Sequence, residues 1–156
     1  MLDLRDDQVM EAIHRYIKFY IPDGISMAEI FPGIEELIDE LKNRGYSIGL
    51  ATMMEEGYAK QTLNDYGLLG KFDSVKGASL KIALSKYDLI KDCMREVGAS
   101  PQETIMIGDG EDDHNSAVKA DVRFVAAIYG YGIDRQYCID KNIEFIEKPL
   151  DLLNLL

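Results

Sequence analysis

Apolar positions along residues 6–20 recur with a helical period. Val9, Ile13, Tyr16, Ile17 and Tyr20 fall on one stripe, and Asp6 and Asp7 stand where a helix cap is needed. Ile21-Pro22-Asp23-Gly24 ends that pattern, because proline and glycine both interrupt a helix. Residues 1–30 are therefore expected to form a distinct piece. From Phe31-Pro32-Gly33 onward the pattern changes. Ile34, Leu37, Ile38 and Leu41 make a second helical face, closed by Gly45. An apolar run from Tyr46 to Ala51 ends in Thr52, and a helix follows to about Tyr66 with Gly67 as its stop. Phe72 to Val75 is a weak strand. A helix from Lys86 to Val97 buries Leu89 or Ile90, Cys93 or Met94, and Val97. Thr104 to Ile107 is a buried strand running into Gly108-Asp109, and a short helix with Ala117 and Ala120 leads to a strand over Arg123–Ile128. The turn Gly130-Tyr131-Gly132, a last strand near Ile143–Ile146 and a stub of helix after Pro149 complete residues 31–156.

Short strands with continuous rather than alternating hydrophobicity, interleaved with helices, indicate a parallel sheet covered on both faces: an α/β/α fold of three layers. In such sheets, polar side chains at the carboxyl ends of strands face the ligand crevice. That rule singles out Thr52 and Asp109.

Composition narrows the partners. The net charge of -11, from 28 acidic and 17 basic residues, repels nucleic acid and anionic lipid. The first seven residues turn acidic at once, unlike a secretory leader, and no apolar run approaches the length of a membrane span. A cytoplasmic protein is expected. Cys93 and Cys138 match no zinc spacing, and Cys93 lies in a helical apolar pattern as a small core residue.

Three places carry chemistry, and each has a plainer explanation. Ile107-Gly108-Asp109-Gly110 with Asp113 puts two carboxylates beside one crevice, where a divalent cation relieves their repulsion; the same residues also make an ordinary strand-to-helix turn with a capping aspartate. Thr52 ends a strand and can donate to a phosphate oxygen, yet Thr52-Met53-Met54-Glu55 also reads as a capping box. Lys86, after Ser85, stands at a helix start, where most lysines simply point to water.

Taken in order, Thr52 after a strand, Lys86 at a helix start, and Gly108-Asp109 with Asp113 after a strand resemble three of the four motifs of haloacid dehalogenase-like (HAD) phosphatases. Gly77-Ala78-Ser79 with Ser85-Lys86, and Tyr129-Gly130-Tyr131-Gly132, resemble the phosphoglycolate phosphatase-like branch. In that family an aspartate attacks the phosphoryl group, a second aspartate two residues later serves as acid and base, and magnesium bridges the nucleophile and the acidic motif. The resemblance implies Asp109 and Asp113 as the metal-side carboxylates for Mg2+. It implies Thr52 and Lys86 as the phosphate-binding pair, and a small phosphorylated molecule as substrate.

The family's first motif, an apolar strand ending in Asp-x-Asp, has no counterpart here. Only two residues precede Asp3, and Arg5 stands where the second aspartate belongs. Residues 1–30 resemble the last helix of the family's cap domain and its hinge. The expected fold is thus a Rossmann-like HAD core missing its first strand, with a remnant cap helix. Two functions follow: a phosphate monoesterase inactive as this chain alone, or a non-catalytic magnesium- and phosphate-binding or protein-interaction module. A receiver domain also uses Asp, Thr and Lys on a parallel sheet, but its acids precede the other two. The missing strand belongs between the strands ending at Thr52 and Asp109. Its absence predicts that the sheet rearranges at its centre, bringing Thr52 and Asp109 closer, or that the chain forms a homo-oligomer through the open edges.

Overall fold

The computed structural model describes residues 29–79 and 82–156, together with Gln8, Glu11, Ala12 and Arg15. The chain divides into two compact units, residues 1–30 and residues 31–156. In the first, Gln8, Glu11, Ala12 and Arg15 are helical, and Arg15 pairs with Glu11 at 2.7 Å. The stripe of Val9, Ile13, Tyr16, Ile17 and Tyr20 and the caps Asp6 and Asp7 lie outside the described residues. So does the hinge at 21–24.

The second unit alternates helix and strand: α1 (Ile34–Asn43), β1 (Gly49–Glu55), α2 (Glu56–Asp65), β2 (Ser74–Ala78), α3 (Lys86–Val97), β3 (Ile105–Gly108), α4 (Glu111–Lys119), β4 (Arg123–Ala127), α5 (Arg135–Lys141) and β5 (Glu144–Ile146), followed by a 3-10 turn over Pro149–Asn154. Helix α3 has the bounds its pattern predicts. A reciprocal cap between Ser85 and Asp88 starts it, and Gly98, at φ +72°, ends it. Leu89, Ile90 and Met94 are its buried residues, while Cys93 is only partly buried. Helix α5 is not anticipated by the apolar pattern, because Tyr137, Cys138 and Ile139 are contiguous and show no helical spacing. Its ends are set by polar residues: Asp134 accepts from the Tyr137 N–H at 2.8 Å, and Asn142 closes it in the left-handed region. Strand β2 begins two residues later than the weak strand read from Phe72, after a short 3-10 turn at Leu69–Lys71.

All strand pairings are parallel, as expected of strand–helix–strand units. Their faces alternate along β4. Phe124 and Ala126 pack with Ala117, Ile133 and Cys138 on one side, and Val125 packs with Leu37, Ile146 and Leu152 on the other. Helices therefore cover both faces, and the three-layer expectation holds. Among the described residues, no helix is long and apolar enough to cross a membrane.

The sheet is split. Among the described residues, strand β1 pairs only with β2, and β3 pairs only with β4, which in turn pairs with β5. Between β1 and β3 lies a slot of about 520 Å³, flanked by Gly49 and Ala51 on one side and by Ile105 and Ile107 on the other. This corrects the expectation that the two strands close on each other. Ile90 and Met94 of α3 form one cluster with Ala120 and Val122, and Ala51 of β1 and Met106 of β3 pack against that cluster, so the covering layer bridges the two sheets. The open edges are visible in the burial. Val125 and Ala126 of β4, with a neighbour on each side, are fully buried, whereas Ile107 of β3 is 37% exposed.

Candidate functional site

Thr52 lies near the carboxyl end of β1, Lys86 at the first position of α3, Asp109 just beyond β3, and Asp113 in the first turn of α4. Each is placed by a different local device.

The Ser85–Asp88 cap fixes the start of α3, with the Ser85 N–H donating to Asp88 Oδ2 at 2.9 Å and its hydroxyl at 2.6 Å. The Ser85 hydroxyl and then its N–H hold the Asp88 carboxyl below its usual range. Lys86 follows directly, and a cation at a helix N-terminus is opposed by the helix dipole. Asp113 offsets this: Lys86 Nζ donates to its Oδ1 at 2.7 Å, with the two side chains only 15% and 11% exposed. The second oxygen, Oδ2, accepts from the Gly110 N–H at 3.0 Å and caps α4. Both oxygens of Asp113 are thus engaged by the protein. Gly108 is required beneath them, since a Cβ there would sit 2.5 Å from the Asp113 side chain.

Asp109 is gripped by the loop after β4. Its Oδ2 accepts from the Tyr131 N–H at 2.9 Å, and its carbonyl accepts from the Ile133 N–H at 2.6 Å. A Cβ on Gly130 would come within 2.5 Å of Asp109 Oδ2, and one on Gly132 would overlap the Asp109 carbonyl. The Gly-Tyr-Gly loop therefore wraps the aspartate with no room for a side chain. Its signal was in the sequence, two glycines spaced by one residue just past a buried strand, but the link from that loop to Asp109 was not. Beside it, Phe31 meets the Tyr129 ring edge-on at 5.2 Å and the Tyr131 ring at 6.0 Å. Burial, and then the negative charge of Asp109, push the Tyr129 hydroxyl above its ordinary value.

Thr52 differs from the sequence reading. It does not cap α2. Strand β1 continues to Glu55, which becomes the cap itself and accepts from the Tyr58 N–H at 3.1 Å. The pairing of β1 with β2 shifts register between Thr52 and Glu55, and this irregularity takes up the residues read as a cap. The Thr52 oxygen instead accepts from the Met54 N–H at 3.1 Å, which leaves its hydroxyl proton to donate elsewhere. Among the described residues it makes no bond to Lys86, Asp109 or Asp113, although all four stand at the same edge of the fold.

Among the described residues, no group of three or more His, Cys, Asp or Glu side chains is arranged to hold a metal ion. Among the described residues, Asp109 Oδ1 accepts no hydrogen bond, in contrast to Oδ2.

A doubly covered parallel sheet, with a lysine–aspartate pair and a glycine-wrapped aspartate at the carboxyl ends of its strands, is a Rossmann-like α/β domain with its polar cluster at the ligand edge. The chain belongs to the haloacid dehalogenase-like hydrolases, whose family model matches residues 3–127. It is 30% identical over 132 residues to the tyrosine-protein kinase PtkA of Mycobacterium tuberculosis, covering 84% of this chain and 45% of that protein. It is also 30% identical over 132 residues to the phosphoglycolate phosphatase of Rhodospirillum rubrum, covering 83% and 54%. The structure of a haloacid dehalogenase-like family hydrolase from Streptococcus pneumoniae superposes with a TM-score of 0.83 at 27% identity, over 98% of this chain and 72% of that one. The chain spans about half the length of the curated relatives it matches.

Proposed function

We propose that residues 31–156 form the phosphate- and metal-holding half of a phosphate monoester hydrolase of the phosphoglycolate phosphatase-like kind, and that these 156 residues alone do not turn a substrate over. The observation that carries this reading is the buried Lys86–Asp113 pair set beside Asp109. A cation held at the carboxyl edge of the sheet by one carboxylate, with a second carboxylate at the tip of β3, suits a phosphoryl group and its counter-ion. Phosphoryl transfer depends mainly on such positioning and charge stabilisation.

In this reading Lys86 neutralises charge on the phosphoryl oxygens, and Thr52 donates its hydroxyl proton to one of them. Asp113 positions Lys86. Asp109 Oδ1 is the chain's own anchor for Mg2+, which when bound supplies charge neutralisation at the phosphoryl oxygens. One anchor fits a weakly held magnesium ion, since that ion keeps most of its waters and takes one or two carboxylates plus phosphate. These 156 residues hold no apolar strand ending in Asp-x-Asp, so they do not themselves supply the attacking carboxylate in this reading. The substrate class is a small phosphorylated molecule.

A phosphatase relative and a kinase relative match at equal identity, so the branch rests on the Gly77-Ala78-Ser79 and Tyr129–Gly132 motifs. The non-catalytic module remains the second reading, favoured by the open slot between β1 and β3. The unpaired edges also favour self-association, which light scattering reads. The test of the main reading is p-nitrophenyl phosphate turnover with magnesium. We expect none from the chain alone, and turnover abolished by Asp109→Ala would refute the missing nucleophile.

A further inference from the structure

We infer that Tyr131 is a specificity-determining residue whose exposed ring stacks on the leaving group of the phosphate ester, so that the substrate is the monophosphate of an uncharged aromatic alcohol. The inference rests on the phosphate-holding reading of this edge and narrows its substrate class. The loop after β4 gives the ring a fixed mount. Gly130 and Gly132, on either side of Tyr131, press so closely on Asp109 that neither has space for a Cβ. Between them the Tyr131 N–H donates to Asp109 Oδ2 at 2.9 Å. Three adjoining residues are thus tied to the aspartate, and the ring projects from the middle one. Bond lengths along the chain keep its centre within about 9 Å of that oxygen. Phe31 flanks the ring at 6.0 Å between centres, inclined by 44°. Tyr129, close enough to feel the charge of Asp109, meets Phe31 edge-on in turn.

Phe31 and Tyr129 are half-buried, whereas Tyr131 is 93% exposed. The grip on Asp109 uses only the backbone of residue 131, so it does not call for a tyrosine there. Among the described residues, the only ring contact of Tyr131 is the one with Phe31. One free ring is the wrong size for a protein partner. A stable interface takes about 800 Å² from each side, and an aromatic side chain offers about 150–250 Å². It does match a single small ring, which stacks with centres about 4.5–7 Å apart. An ester whose phosphoryl group is held at Lys86, Thr52 and Asp109 brings its leaving group into that range. The face of an aromatic ring carries partial negative charge, so a leaving group with a carboxylate of its own is disfavoured. Met53 and Met54, exposed directly after Thr52, make the edge apolar on the β1 side as well.

The test compares phenyl phosphate with methyl phosphate, which share the phosphoryl group and differ in the body attached to it. Each is titrated into the full chain with magnesium and followed by phosphorus NMR. Phenyl phosphate should bind about threefold to tenfold tighter, the range of one aromatic pair. That ratio should fall to about one in Tyr131→Ala and persist in Tyr131→Phe, which keeps the ring. Proton NMR should show contacts between the Tyr131 ring and the bound phenyl group. Equal binding of both esters by the natural chain, or a preference that survives Tyr131→Ala, overturns the role of the ring and leaves the phosphate edge standing. Loss of both esters together in Tyr131→Ala marks a structural role and overturns it likewise. Binding of neither ester nor inorganic phosphate by the natural chain rejects the phosphate reading, and this inference with it.

Discussion

Replacing Asp113 by alanine tests whether the Lys86–Asp113 pair organises the site. The substitution removes the acceptor for Lys86 Nζ at 2.7 Å and for the Gly110 N–H at 3.0 Å. Breaking one side of a buried ion pair costs about 3–5 kcal/mol, because the partner charge is left without compensation. The unpaired Gly110 N–H adds about 1–3 kcal/mol if it stays out of water. Lys86 keeps some access to solvent, at 15% exposure, so the lower end is expected: a loss of about 3 kcal/mol. Set against a domain stability of about 5–15 kcal/mol, that is a large shift in the urea midpoint. Lys86→Met alone should cost less, since Asp113 still caps α4. The double variant should cost less than the sum of the two, with a coupling of at least about 1 kcal/mol. Urea unfolding of the four proteins at one pH, with slopes checked for constancy, measures it. An Asp113→Ala loss below about 0.5 kcal/mol, with no coupling, would refute the pairing as the organiser of this edge.

Gly130→Ala should displace Asp109 and cost about 1–3 kcal/mol through overpacking, seen as a thermal midpoint several degrees lower; an unchanged midpoint would show that the loop yields freely. Magnesium binding by calorimetry should be weak and should vanish in Asp109→Asn, and tight binding that survives the change would place the metal elsewhere. The Asp73 carboxyl is held below its ordinary value of 3.8, first by its bond from Lys42 and then by the Ile48 N–H. Its stabilising share is therefore present above that value and lost as pH falls through the lower, folded one. The stability gap between the natural chain and Asp73→Asn should shrink on acidification from neutral pH toward about pH 2, and a gap constant with pH would contradict it.

The layers were legible because apolar runs in β3 and β4 and the faces of α1 and α3 have the right periods, and packing obeyed them. Helix α5 was not, since its ends are written in Asp134 and Asn142 rather than in an apolar stripe. Lys86, Asp109 and Asp113 could be chosen from the sequence because they stand at strand ends and helix starts. The Lys86–Asp113 bond joins residues 27 apart, and the hold of Tyr131 on Asp109 joins residues 22 apart. Such pairings depend on crossover geometry that local pattern does not encode. Thr52 shows the reverse: a local cap motif was present, but pairing with β2 overrode it. The open slot between β1 and β3 lies where the sequence reading places the absent strand, but the packing of Ala51 and Met106 against one cluster with α3 is a tertiary feature that local pattern does not encode.

The most direct test of a phosphate-holding half-site is the binding of inorganic phosphate in the presence of magnesium, followed by phosphorus NMR on the full chain. Saturable binding in the range of about 1 mM, worth ~4 kcal/mol, is expected, and it should be lost in Lys86→Met and weakened in Thr52→Val. Binding equal in all three proteins, or absent from the natural chain, would contradict the assignment of this edge to phosphate.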